Sequence, residues 1–218
     1  VLIGGIEMLD FFKSINIETK LVVLILLLSL LSYKFNRSNI IQSGRVGEKK
    51  ARKVLESLNS DYTVLSNVRI TFNNKSNEVD NIVVGPTGIF IIEVKNHNGT
   101  IVGNEKDYEF VQHKVGRKGG NYSKKMYSPI KQVNKQVYIL SQILKYNGIK
   151  HWIEGIVLFT NPEVNLRINS NKTKVIKLNN EKKINLLKII ESFTAKRQLG
   201  KKDCESIVEI IKKYSKRR

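Results

Sequence analysis

The stretch Glu78-Val79-Asp80-Asn81-Ile82-Val83-Val84-Gly85-Pro86-Thr87-Gly88-Ile89-Phe90-Ile91-Ile92-Glu93-Val94-Lys95 decides the fold. Two apolar, β-branched runs flank a Gly85-Pro86-Thr87-Gly88 turn, the signature of a β-hairpin. With Pro86 and Thr87 as the turn residues, Val84 faces Ile89, Asp80 faces Glu93 and Glu78 faces Lys95. Side chains alternate with period two, so these four polar groups share one face. Opposed Cβ atoms lie roughly 4.5 to 5.5 Å apart, and two carboxylates that close repel unless a positive charge stands between them. A divalent cation meets that need, and a lysine beside it can steady the charge of a reacting oxygen. The plainer alternative is a salt-bridged hairpin end, with Glu78 and Lys95 an ordinary cross-strand pair. Acids opposed at Asp80 and Glu93 argue against it.

Working outward, the 218 residues suffice for one sizeable domain plus an appendage. The formal net charge is +19, from 38 Lys and Arg against 19 Asp and Glu, which points to a polyanionic partner, nucleic acid or an anionic membrane face. Lys, Asn and Ile are spread through almost every segment, so compositional bias is an alternative source of that charge. The single Cys204 excludes an intramolecular disulfide and a Cys-rich zinc site. No Walker-type phosphate loop, nucleophile elbow or internal repeat is present.

The first residue is Val, as expected of a trimmed, processed or unusually started chain. From Leu21 to Leu31 the chain is apolar except for Ser29, between Lys20 and Lys34. As a helix, the residues between those lysines span only about 20 Å, against a hydrocarbon core of roughly 30 Å. Lysine snorkelling and local thinning close part of that gap. A buried core helix and a signal-peptide apolar region compete with a membrane anchor, and the anchor, a transmembrane helix at about 20–35, is the expectation. Lys34, Arg37 and Arg45 follow the run, so the positive-inside rule keeps the large domain in the cytoplasm of a single-pass membrane protein. The expected organisation is an N-terminal segment over 1–36, a linker over 37–44, a main domain over 45–165, and a strand and helical extension over 166–218 packing on it.

A helix is predicted from about Val46 to Leu58, with Ala51, Val54, Leu55 and Leu58 as its apolar stripe. Glu48 projects toward that inward face; it is either a first-turn acid favoured by the helix dipole or a carboxylate aimed at a site. Tyr62 to Thr71 reads as a strand, and Thr100 to Gly103 with Tyr108 to Gln112 as a second hairpin. His97 stands alone beside Lys95 and reads as a surface polar residue. Lys114 to Lys125 reads as a flexible basic loop in which Arg117, Lys118, Tyr122, Lys124 and Lys125 are candidate nucleic-acid contacts, Tyr122 for stacking. Ser128-Pro129 opens a long helix, Ser as N-cap, with Ile130, Val133, Val137, Leu140 and Leu144 buried and Gln132 one residue off the stripe. Ile153 to Thr160 is a buried strand, parallel to an earlier one because a helix connects them. Val175 to Leu178 is a short strand, helices follow over about Glu181–Phe193 and Lys202–Tyr214, and the tail from Lys212 is basic.

Helix, three strands, helix, strand, with an acid in the first helix, another in the second strand and Glu-x-Lys in the third, resembles the nuclease-related domain (NERD) family of the PD-(D/E)xK restriction-endonuclease-like superfamily. The resemblance covers about Gly44 to Thr160 and rests on Gly47-Glu48, Glu78-Val79-Asp80, Gly85-Pro86-Thr87-Gly88-Ile89-Phe90, and Glu93-Val94-Lys95-Asn96 followed by Gly99. It implies an α/β fold with a mixed central sheet flanked by helices, and a Mg²⁺-dependent (or Mn²⁺-dependent) phosphodiesterase acting on nucleic acid, DNA foremost. It assigns Asp80, Glu93 and Glu48 to the metal, Lys95 to the active site, and Gln132 to the family's Asn-Pro-x-x-Gln pattern. Here Ser128-Pro129 precedes Gln132, a departure at the Asn, and Phe110 stands where many relatives carry Trp. The alternative function is a non-catalytic nucleic-acid-binding or membrane-surface scaffold that keeps the nuclease fold.

Overall fold

The computed structural model describes residues 16–116, 119–178, 184–195 and 197–217. The first helix, α1, runs Ile17–Leu55, through the residues expected to form a linker at 37–44. No proline interrupts that stretch, so nothing in it removes a backbone donor. The chain divides into two compact units, Val1–Ser43 and Gly44–Arg218.

In the first unit the transmembrane helix expected at about 20–35 is not borne out: among the described residues no helix is long and apolar enough to cross a membrane. The apolar run is confined between Lys20 and Lys34, with Glu18 just before it and Arg37 just after it in the same helix. The single-pass placement that rested on that span goes with it.

In the second unit the strands are β1 (Thr63–Phe72), β2 (Lys75–Gly85), β3 (Gly88–Lys95), β4 (Gly99–Asn104), β5 (Glu109–Val115) and β6 (Asn121–Tyr127). There follow α2 (Pro129–Tyr146), β7 (Ile153–Phe159), β8 (Val164–Asn169), β9 (Lys174–Lys177), α3 (Ile184–Glu191), α4 (Lys201–Lys213) and β10 (Ser215–Arg217). One sheet has the order β10-β1-β2-β3-β7-β9 and the other β6-β5-β4-β8. The expected mixed α/β core is present. β2 and β3 are antiparallel, and α2 carries the chain over to β7, parallel to β3.

Alternation along β2 and β3 builds a core on each face of the first sheet. Ile82, Val84, Ile89 and Ile91 pack with α2 and α4 residues such as Ile130, Val133, Leu140 and Ile207. Val83, Phe90 and Ile92 pack on the other face with Ala51, Val54 and Leu55 of α1 and with Leu186 and Ile190 of α3. Ser128 caps α2 through its side chain, with Pro129 at the first position, as the sequence predicts.

Three local expectations change. The basic loop expected over 114–125 is largely the β5–β6 ladder, with Lys114 opposite Tyr122 and Gln112 opposite Lys124. The basic tail is a strand, β10, that takes the free edge of β1. β8, invisible as a pattern, pairs in parallel with β4. All three are exposed or edge strands whose partners, not their apolar content, define them.

Candidate active site

The β2–β3 ladder keeps the register read from the sequence, Gly85 with Gly88, Val84 with Ile89, and on to Asn81 with Ile92. There it stops. One residue further, Asp80 Oδ2 accepts the Val94 N–H at 2.7 Å, so a carboxylate takes the place of the next backbone acceptor. Burial and the neighbouring Glu93 push the Asp80 carboxyl up from 3.8 to about 7. The Val94 N–H and Lys95 pull it down, and Glu48 adds to the rise.

Glu93 is 1% exposed and held at both oxygens. Oε1 accepts Lys95 Nζ at 2.7 Å, and Oε2 accepts Gln136 Nε2 at 2.7 Å. Lys95 Nζ also donates to Gln132 Oε1 at 3.0 Å, so the lysine is fixed between an acid of its own strand and the first turn of α2. The predicted Glu78–Lys95 pair is not part of the ladder. Glu78 pairs instead with Arg69 across β1, because β2 leaves β3 before position 78 is reached.

Gln136 is the residue that sequence reasoning missed. It is fully buried, one turn beyond Gln132, and its Nε2 also donates to the Glu78 carbonyl at 2.9 Å. Both contacts are acceptors, which fixes the amide orientation and leaves Oε1 buried without a partner among the described residues. A signal was available: Gln132 and Gln136 are an i, i+4 pair, and Gln136 is a polar residue flanking an apolar stripe.

Glu48 follows Gly47, whose lack of a side chain is required. A Cβ there would lie 2.7 Å from Asn96 Cβ and 2.8 Å from Thr160 Oγ1. The glycine lets α1 close onto the ends of β3 and β7. Glu48 is half-buried and acts on Asp80 through space, but α1 packs on the sheet face opposite α2. Among the described residues no three His, Cys, Asp or Glu side chains gather as a metal-binding group.

His97 is half-buried, and burial followed by Lys95, Lys114 and Lys124 lowers its pKa from 6.5 to about 4, leaving a neutral imidazole at neutral pH. Lys114 is itself held below the ordinary lysine value, by burial and then by Lys124. Strand alternation sorts the predicted nucleic-acid contacts. Lys114, Tyr122 and Lys124 share the face that carries buried Gln112, whereas Lys125 lies on the other face, paired with Glu109 at 2.9 Å. Arg117 and Lys118 lie outside the described residues. Phe110 is fully buried, and a Cβ on Gly103 would lie 2.3 Å from its ring, so this aromatic is a core element of the second sheet.

A mixed sheet between helices, with two acids and a lysine at the open end of its central hairpin, defines a nuclease-like α/β protein. The family model for the nuclease-related domain matches residues 43–160, just over half of the chain, and the chain belongs to that family. An uncharacterized protein of Bacillus anthracis is 31% identical over 103 residues, which are 46% of this chain and 48% of that protein. The match thus spans about half the length of that curated relative. No solved structure matches.

Proposed function

We propose that the domain is a metal-dependent nuclease that hydrolyses phosphodiester bonds, with DNA as the first substrate. The observation that carries this reading is the triple formed by Asp80, Glu93 and Lys95, two mutually destabilising carboxyls and a lysine gathered at one strand end. The donors suit a hard divalent cation such as Mg²⁺ or Mn²⁺. They are carboxylate oxygens, and Mg²⁺ needs only one or two of these beside water and substrate phosphate. Burial first and the Glu93 charge second raise the Asp80 carboxyl, and a cation between the two acids would offset both. Asp80 and Glu93 would hold the ion, and Glu48 of α1 would add a third carboxylate to its surroundings. When bound, such an ion polarises a phosphoryl oxygen and lowers the pKa of a coordinated water.

The chain's own groups orient this chemistry. The Val94 N–H fixes the Asp80 carboxylate, and Gln136 with Lys95 fixes that of Glu93. Lys95, steadied by Gln132, supplies positive charge beside the negative charge that develops on the phosphoryl oxygens. Lys114, Lys124 and Tyr122 form a flank on which the substrate backbone and a base can rest, next to neutral His97.

The full chain with Mg²⁺ is expected to cut linear or circular DNA, and Asp80→Ala and Lys95→Ala to slow it by about 10²- to 10³-fold, the loss typical of a single electrostatic group. Equal cleavage by the wild type and both variants would identify a contaminant and end the proposal. Salt-dependent binding without cleavage of any DNA or RNA substrate would replace it with a binding module.

A further inference from the structure

We infer that the groove between the C-terminal end of α2 and the start of β7 binds a nucleotide unit of single-stranded nucleic acid, its base laid against Trp152 and its phosphates against Lys145 and Lys150. The groove encloses about 850 Å³, within the roughly 300 to 1,000 Å³ of ligand sites. Its lining brings Trp152, Phe193 and His151 together with Lys145, Lys150 and Arg197, and none of its described lining residues is acidic. Among the described residues Arg197 has Asp203 at 3.7 Å and Trp152 has Glu154, itself paired with Lys174, while Lys145 and Lys150 make no ion pair. Planar apolar surface beside the two lysines, Lys145 and Lys150, fits a planar anion.

Trp152 is 67% exposed and presents a large flat apolar face to solvent. Its ring is held by its edge. Nε1 donates to Glu154 Oε2 at 2.9 Å, and Glu154 Oε1 accepts Lys174 Nζ at 3.0 Å. An indole fixed this way is preorganised for stacking and loses little freedom on binding. The groove walls meet as well where His151 Nε2 lies 2.9 Å from the Arg197 carbonyl oxygen, which accepts from the tautomer protonated at that nitrogen.

A base inside a duplex has both faces stacked, so this platform suits a single strand. The groove also lies away from the Asp80–Glu93–Lys95 cluster, since Gln132 and Lys145, at opposite ends of α2, are separated by about 20 Å of helix. It would therefore grip a strand beyond the site of any cleavage. The inference needs no reaction and goes beyond the nuclease reading.

The chain has one tryptophan, so its fluorescence reports on this groove alone. The full chain is titrated with oligothymidylate in EDTA, which prevents metal-dependent cutting. Quenching of Trp152 emission is expected, as is binding roughly ten-fold weaker in Trp152→Ala, by anisotropy, with Trp152→Phe restoring most of it. Lys145→Glu with Lys150→Glu, which keeps the fluorophore, should weaken quenching at least as much and flatten its salt dependence. Oligonucleotide binding that leaves Trp152 emission unchanged overturns the inference, as does no binding. Quenching by thymidine monophosphate or anionic lipid vesicles but not by the oligonucleotide overturns the strand assignment. Quenching without cleavage in Mg²⁺ would break only the nuclease reading, and cleavage without quenching only this one.

Discussion

The two ends of the β2–β3 hairpin share two strands and behave oppositely. At the turn end every backbone pairing from Gly85–Gly88 to Asn81–Ile92 is made, and Val84, Ile89, Phe90 and Ile91 are fully buried. At the open end the ladder gives way to a side chain, Asp80 accepting from Val94, and acid, lysine and two glutamines occupy the space. The turn end follows the local rules of strands and the open end breaks them, the pattern expected where a fold is strained for function. Stability should therefore be concentrated at one end and reactivity at the other.

The largest expected effect is at the turn end. Phe90 is fully buried and meets Phe193 edge-on at 5.3 Å between ring centroids. Phe90→Ala should cost about 3 to 5 kcal/mol in urea unfolding. A loss below about 1 kcal/mol would show that this end is not tightly packed and remove the contrast.

At the open end the expected sign is reversed. The folded Asp80 carboxyl titrates at about 7 against an ordinary 3.8, so between those values the folded protein holds a proton that the unfolded chain has released. Its contribution to stability is complete below the lower value and lost as pH rises through the upper one. Asp80→Asn retains an acceptor for the Val94 N–H. It should raise metal-free stability at pH 8 by on the order of 1 to 3 kcal/mol while leaving stability near pH 3.5 almost unchanged. Unfolding midpoints that fall at pH 8 in this variant would show that the open end is not strained.

The smallest effect sharpens the boundary of the site. The Arg69–Glu78 pair is half-exposed, with side chains 55% and 43% accessible. Arg69→Ala should change stability by less than about 0.5 kcal/mol and leave nucleic-acid cleavage unaltered. A marked fall in cleavage would return Glu78 to the Lys95 cluster.

Much of this contrast was legible in the residues. The Gly85-Pro86-Thr87-Gly88 turn and its alternating flanks set the register as far as Asn81–Ile92, and its direction carries Asp80 to where the Glu93 charge acts on it. The apolar stripe and Ser128-Pro129 cap placed α2, and with it Gln132. Gln136 was signalled only by its i, i+4 spacing from Gln132, a weak mark because a glutamine beside an apolar stripe is ordinary. Only its approach to Glu93 Oε2 and the Glu78 carbonyl gives it a role. The expected Glu78–Lys95 pair failed because extrapolating a ladder assumes that backbone pairing continues, and a side-chain acceptor ended it.

The groove at Trp152 shows the same division, since Lys145, Lys150 and Trp152 are near in sequence but Phe193 and Arg197 reach them only through the fold. By itself the sequence determined the hairpin, its register, the helix–strand order and the set of acids and lysine, because turn chemistry and hydrophobic period are local. The tertiary structure alone decided where the ladder ends, which face of the β5–β6 hairpin turns toward His97, and which glutamine holds Glu93. Those outcomes depend on competition between backbone and side-chain acceptors and on contacts between residues far apart in the chain, and neither leaves a periodic trace in the sequence.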